Sequence, residues 1–164
     1  MDIKEMSPFL YLDIGRPRKL PEINRIAMLW QKGASIMIQK ILIVDDSPIS
    51  RKMLKSCLSK EREFQIVEAG DGLQGLEMFK EHRPDLTFMD LTMPVMDGVR
   101  SLDEIMKFDK DATVIVCTAD VQIKSIKRVL ELGAFHIVKK PPTKDNVLKA
   151  LTMAEESKRG ADVG

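Results

Sequence analysis

From residue 40 onward, short apolar runs alternate with stretches of helical periodicity. Ile41–Val44 is a continuous apolar run of strand length, the pattern expected where helices cover both faces of a parallel sheet. Ser47 then reads as a helix cap and Pro48 as the first helical residue. The serine hydroxyl satisfies a free amide, and proline has none to lose. Ile49, Met53, Leu54, Cys57 and Leu58 follow as one stripe, expected to be buried. The alternation then repeats. Phe64–Glu68 precedes a helix carrying Leu73, Leu76 and Phe79 on one face, and Asp85–Asp90 precedes one with Val99, Leu102, Ile105 and Met106. Thr113–Thr118 leads to Ile126, Val129 and Leu130, and Phe135–Val138 to Val147, Leu148, Leu151 and Ala154. Five βα units with short loops predict an α/β fold, a doubly wound parallel sheet with right-handed crossovers. In such a sheet a ligand sits beyond the carboxyl ends of the strands.

Residues 1–36 break this pattern. Pro8, Gly15, Pro17 and Pro21 punctuate them, and Arg16-Pro17-Arg18-Lys19 is a basic cluster too short to argue for nucleic acid. Ile23, Ile26, Ala27 and Trp30 fall at helical spacing, so a partner-binding amphipathic helix is one reading. The favoured one is a loosely attached leader, with Met37 a candidate natural start. The expected organisation is an extension (1–36), a globular domain (37–157) and a short tail (158–164), and Glu155–Gly164, expected to follow the fifth helix, is too short for a DNA-binding domain.

Composition narrows the function classes. Twenty-six basic residues against 25 acidic ones give +1, so no global field draws nucleic acid or an acidic membrane. No apolar run approaches the about 18 residues of a membrane span, and the amino terminus lacks the order of a secretory signal. Cys57 and Cys117 make neither a disulfide scaffold nor a zinc site, and free thiols suit the reducing cytoplasm.

The strand ends carry the chemistry. The first ends in Asp45-Asp46, the third in Asp90, the fourth in Thr118, and the fifth runs into Lys139-Lys140-Pro141. Side by side, these would put three carboxylates, a hydroxyl and a lysine in one crevice. Crowded carboxylates repel unless a cation joins them. Hard oxygen ligands with room for water suit Mg²⁺, with Mn²⁺ a second choice. The lysine and hydroxyl would receive an anion beside it. Such a site is suited to phosphoryl transfer with an Asp as nucleophile.

Taken in order, these residues resemble the receiver domain of two-component response regulators, the CheY-like family. The matches are Ile41-Leu42-Ile43-Val44-Asp45-Asp46-Ser47, Ala69-Gly70-Asp71-Gly72 and Met89-Asp90-Leu91-Thr92-Met93-Pro94-Val95-Met96-Asp97-Gly98. Thr118-Ala119, Gly133-Ala134 and Lys140-Pro141 complete them, over residues 38–157. The resemblance implies a flavodoxin-like (βα)5 sheet of strand order 2-1-3-4-5. It also implies that Asp90 accepts phosphate from a sensor histidine kinase, and that Asp45, Asp46, Asp90 and the Thr92 backbone carbonyl hold Mg²⁺. Lys140, rather than Lys139, would pair with the acceptor and then with the phosphoryl oxygens. Thr118, with Ala119, would bind the phosphoryl group, and the Lys140–Pro141 peptide would be cis. The implied protein is a cytoplasmic, stand-alone switch, not an enzyme with an external product. It would be a monomer or weak phosphorylation-dependent dimer, acting on a downstream protein through its fourth helix, fifth strand and fifth helix. A chemotaxis-type output is favoured; a phosphorelay intermediate that returns phosphate to a histidine is the alternative.

One position departs from the family. Ile137 stands where a Tyr or Phe usually reports the switch, which puts threonine–aromatic coupling in doubt. Several residues have plainer readings. Met93, Met96 and Met106 suit core filling, Cys117 reads as a buried apolar residue, His82 precedes a turn, and His136 lies on a strand far from the crevice end. Gly70-Asp71-Gly72-Leu73-Gln74-Gly75 matches a dinucleotide fingerprint on paper, but follows the second strand. An aspartyl-phosphate phosphatase normally carries a second acid where Thr92 stands. Both are remote alternatives.

Overall fold

A run such as Leu42-Ile43-Val44 leaves no polar face for water, so it must be covered on both sides. The computed structural model, which describes residues 38–58 and 62–161, covers it so. Strand β1 (Lys40–Val44) lies in a five-stranded parallel sheet with β2 (Gln65–Ala69), β3 (Leu86–Asp90), β4 (Val114–Thr118) and β5 (His136–Lys139). The strand order is 2-1-3-4-5. The helices are α1 (Pro48–Leu58), α2 (Gly72–His82), α3 (Gly98–Phe108), α4 (Ile123–Glu131) and α5 (Lys144–Ala161).

Side-chain alternation along each strand divides the core in two. Ile41, Ile43, Leu86, Phe88, Ile115, Cys117 and Val138 pack with Leu54, Cys57 and Leu58 of α1 and with Val147, Ala150, Leu151 and Ala154 of α5. Leu42, Val44, Met89, Val114 and Val116 pack with Leu76 and Phe79 of α2, Leu102 and Ile105 of α3, and Val129 of α4. Truncating one of these, such as Ile105→Ala, removes about 2–5 kcal/mol.

Several sequence expectations need correcting. Ile49 and Met53 are 72% and 40% exposed, and Leu73 and Leu130 are also exposed. Each has core-facing spacing, but it lies on the outer flank of a stripe only two or three residues wide. Strands β2, β3, β4 and β5 each start one residue later than expected. Phe64 and Phe135 pack on the core from outside the ladder, and the Asp85 carboxylate accepts the amides of Gln39 (2.9 Å) and Lys40 (2.8 Å). Helix α5 runs past residue 157 to Ala161, so the expected tail begins inside it. The expected leader 1–36 lies outside the described residues, as does residue 37. Ser47 caps α1 as expected, accepting the Ser50 amide on Oγ.

Candidate functional site

Asp45 and Asp90 follow Val44 and Met89 at the ends of adjacent strands, and by alternation both leave the sheet on the α1–α5 side. Both are buried, at 5% and 6% exposure. Asp46, one residue on, is exposed, yet carboxylate oxygens of Asp45, Asp46 and Asp90 lie within 4.8 Å of one another. Strand β5 delivers the counter-charge. Val138 points to the α1–α5 side, so Lys140 returns to it, whereas Lys139 pairs with Thr118 and is exposed. Lys140 Nζ stands 2.6 Å from Asp45 Oδ2 and 3.0 Å from Asp90 Oδ1. The Lys140–Pro141 peptide is cis.

The electrostatics follow from crowding. Burial raises the pKa of Asp90 above its ordinary value, opposed by Lys140 and reinforced by the Asp45 charge. For Lys140 burial works against the ammonium, but hydrogen bonds to Asp45 and Asp90 outweigh it and the pKa is raised. One ammonium against three carboxylates leaves the cluster two charges negative. Three hard oxygen donors at this spacing fit a divalent cation of the Mg²⁺ kind.

The other expected site residues form the rim. Thr118 is buried, and its Oγ1 accepts the Asp120 amide at 3.0 Å, so in this state it orders the β4–α4 loop. Ala119 beside it is exposed, as is Thr92, which shares a cleft with Thr118 and Asp120. Ile137 is half-buried against the α2–α3–α4 core, opposite Val116. The β3–α3 loop is pinned at its far end, where the Gly98 amide donates to Leu91 O at 2.9 Å. A Cβ on Gly98 would lie 1.8 Å from the Asp90 carbonyl oxygen, so only glycine admits this approach.

The decoys resolve. Gly72 donates its amide to Met96 O at 3.0 Å and opens α2 behind the cap Asp71, and a Cβ on Gly75 would lie 2.7 Å from Val44 Cγ1. These glycines serve the close packing of α2 against β1 and against the β3–α3 loop. Burial pushes the Cys117 thiol up to about 12, so it is inert. Met93 and Met106 pack against the core, Met96 is half-buried, and His136 opens β5 at the end opposite the acids.

Sequence reasoning missed a supporting pair. Arg51 of α1 donates from Nη1 to the Asp45 carbonyl oxygen (2.7 Å) and from Nε to Glu68 Oε2 (2.9 Å). Nothing in the local spacing relates an arginine to an acid on the following strand.

A doubly wound sheet whose central strand ends gather three aspartates and a lysine defines a class of phosphoacceptor signalling domains. Residues 41–152 match the response regulator receiver domain, and the chain belongs to that family. It is 42% identical over 115 residues to the chemotaxis protein CheY of Bacillus subtilis, covering 70% of this chain and 96% of that protein. CheY of Halobacterium salinarum is 39% identical over 117 residues, covering 71% and 96%. Among solved structures it resembles a chain of the CheX-CheY-BeF3-Mg+2 complex from Borrelia burgdorferi. That chain is 34% identical, with a TM-score of 0.68, covering 75% of this chain and 91% of that one. Receiver domains of this family are signalling modules. Among the described residues, no helix is long and apolar enough to cross a membrane.

Proposed function

We propose that this protein is a phosphorylation-controlled switch in which Asp90 accepts a phosphoryl group from a sensor histidine kinase. The observation that carries this is the convergence of Asp45, Asp46 and Asp90 within 4.8 Å with Lys140 bridging two of them. An ionised Asp90 oxygen forms the P–O bond as the P–N bond to the kinase histidine breaks, and the electron pair returns to the imidazole nitrogen. Asp45, Asp46, Asp90 and the Thr92 carbonyl would hold Mg²⁺, or Mn²⁺, which supplies charge neutralisation for carboxylate and phosphoryl oxygens alike. Lys140 then binds the transferred group, and Thr118 with Ala119 leaves its hold on the Asp120 amide to bind it from the other side. Loss of the phosphoryl group is self-catalysed at the same site.

The output is a protein partner that reads the face made by α4, β5 and α5. The CheY relatives support a chemotaxis-type setting in the cytoplasm. We assign residues 37–157 to the receiver, 1–36 to an extension and 158–164 to a tail, of which residues 158–161 belong to α5. The test is intact mass after incubation with acetyl phosphate, with and without Mg²⁺. One Mg²⁺-dependent phosphoryl adduct on the parent, absent from a folded Asp90→Asn variant, is expected. An adduct that persists in Asp90→Asn would sink the assignment.

A further inference from the structure

Asp46 is the weak point of the acidic cluster. It is exposed, and its carboxylate makes no hydrogen bond among the described residues. Its place is therefore set by its backbone, and the Asp45–Asp46 peptide is held from outside the cluster. The carbonyl of that peptide accepts from Arg51 Nη1 at 2.7 Å. Arg51 is itself fixed, since Nε donates to Glu68 Oε2 at 2.9 Å and its side chain is only 19% exposed. Glu68 in turn binds Lys55 through Oε1, and these hydrogen bonds, Lys55 first, lower its pKa so that it stays ionised. A planar guanidinium held at two points is a rigid strut.

We propose that Arg51, oriented by Glu68, is a positioning residue that fixes the Asp45–Asp46 peptide and thereby sets the cation affinity of the acidic site. The proposal rests on the reading of that site as a divalent-cation site. It makes a prediction whose sign separates it from the obvious alternative. Arg51 is a positive charge beside a cation site, so acting through space alone it weakens binding, and its removal would tighten it. Acting as a strut it strengthens binding, and its removal loosens the site, as loss of an outer partner of a metal ligand does.

The experiment is titration of the full chain with Mn²⁺, followed by the electron paramagnetic resonance of the free ion, with thermal unfolding alongside. Arg51→Met is expected to bind Mn²⁺ about tenfold more weakly. Arg51→Lys should recover part of the loss, and Glu68→Gln should weaken binding about threefold. Lys55→Ala, which touches Glu68 but not Asp45, should stay within about twofold of the parent. Unchanged or tighter binding by a folded Arg51→Met overturns the proposal; should that variant not fold, unchanged binding by Glu68→Gln does so. Asp46→Asn separates the two levels. If it binds as the parent does, or the parent binds no Mn²⁺, the cation reading fails and the strut with it. If Asp46→Asn loses Mn²⁺ and Arg51→Met does not, only the strut falls.

Discussion

Lys140 and Asp45, 95 residues apart in sequence, are joined by a 2.6 Å ion pair, tighter than the 3.0 Å pair Lys140 makes with Asp90. In this state the lysine is committed to a carboxylate that a cation would also claim. Lys140→Met should therefore tighten Mn²⁺ binding by about threefold or more, because a competing positive charge is gone. The same variant should form the acetyl phosphate adduct about tenfold more slowly, having lost the ammonium to which the proposed function assigns the transferred oxygens. Titration and timed intact-mass measurement check the two halves.

Asp90 is held in a site that disfavours its charge, chiefly through burial. Its folded pKa lies above its ordinary value of 3.8, so the unfolded chain ionises first. The stability tied to this group is present below that ordinary value and lost as pH rises through the raised one. Asp90→Asn should thus raise the melting temperature of the metal-free protein at pH 7, with the gain shrinking as the pH falls toward 4. Thermal unfolding of both proteins across that range decides it; equal melting temperatures at pH 7 would contradict it.

Much of this was legible beforehand because it depends on local pattern. Runs such as Ile41–Val44 mark strands, and a parallel sheet lets the residues that end them, Asp45 and Asp90, lie side by side; that β1 and β3 are neighbours follows from the family's strand order and is seen in the structure. Helix faces were less legible. Ile49 and Leu54 both fit a stripe, but only Leu54 turns under the sheet, because α1 buries a narrow face. The choice between Lys139 and Lys140 came from family resemblance; its physical basis is strand alternation, visible once Val138 is seen in the core. The Arg51–Glu68 contact depends on how α1 lies over β2, which no periodicity encodes.

Thr87 is fully buried in β3, and its hydroxyl has no hydrogen-bond partner among the described residues. Thr87→Val keeps the shape and removes the orphaned polar atom. It should raise stability by about 1 kcal/mol, read as a higher urea midpoint with unchanged slope. Thr87→Ser keeps the hydroxyl and loses a methyl, and should cost about 1 kcal/mol.

Val95, in the loop after Asp90, has φ of 65° and is 80% exposed. A β-branched residue is strained in that left-handed conformation, and little burial offsets the strain. Val95→Asn should stabilise the fold by about 1 kcal/mol, since asparagine tolerates the conformation. Denaturant unfolding checks this, and a loss of stability would show that the exposed valine holds the loop.

Gly98 abuts the Asp90 carbonyl, and a Cβ on Gly72 would come 2.4 Å from the Met96 carbonyl. For a lineage accumulating mutations, these two positions are nearly closed doors, although neither residue has a side chain to contribute to chemistry. Between them the exposed Thr92 and Val95 can vary without such a clash. Backbone clearance therefore decides what this loop can become: its composition is open to change between the two glycines, but its anchors cannot move.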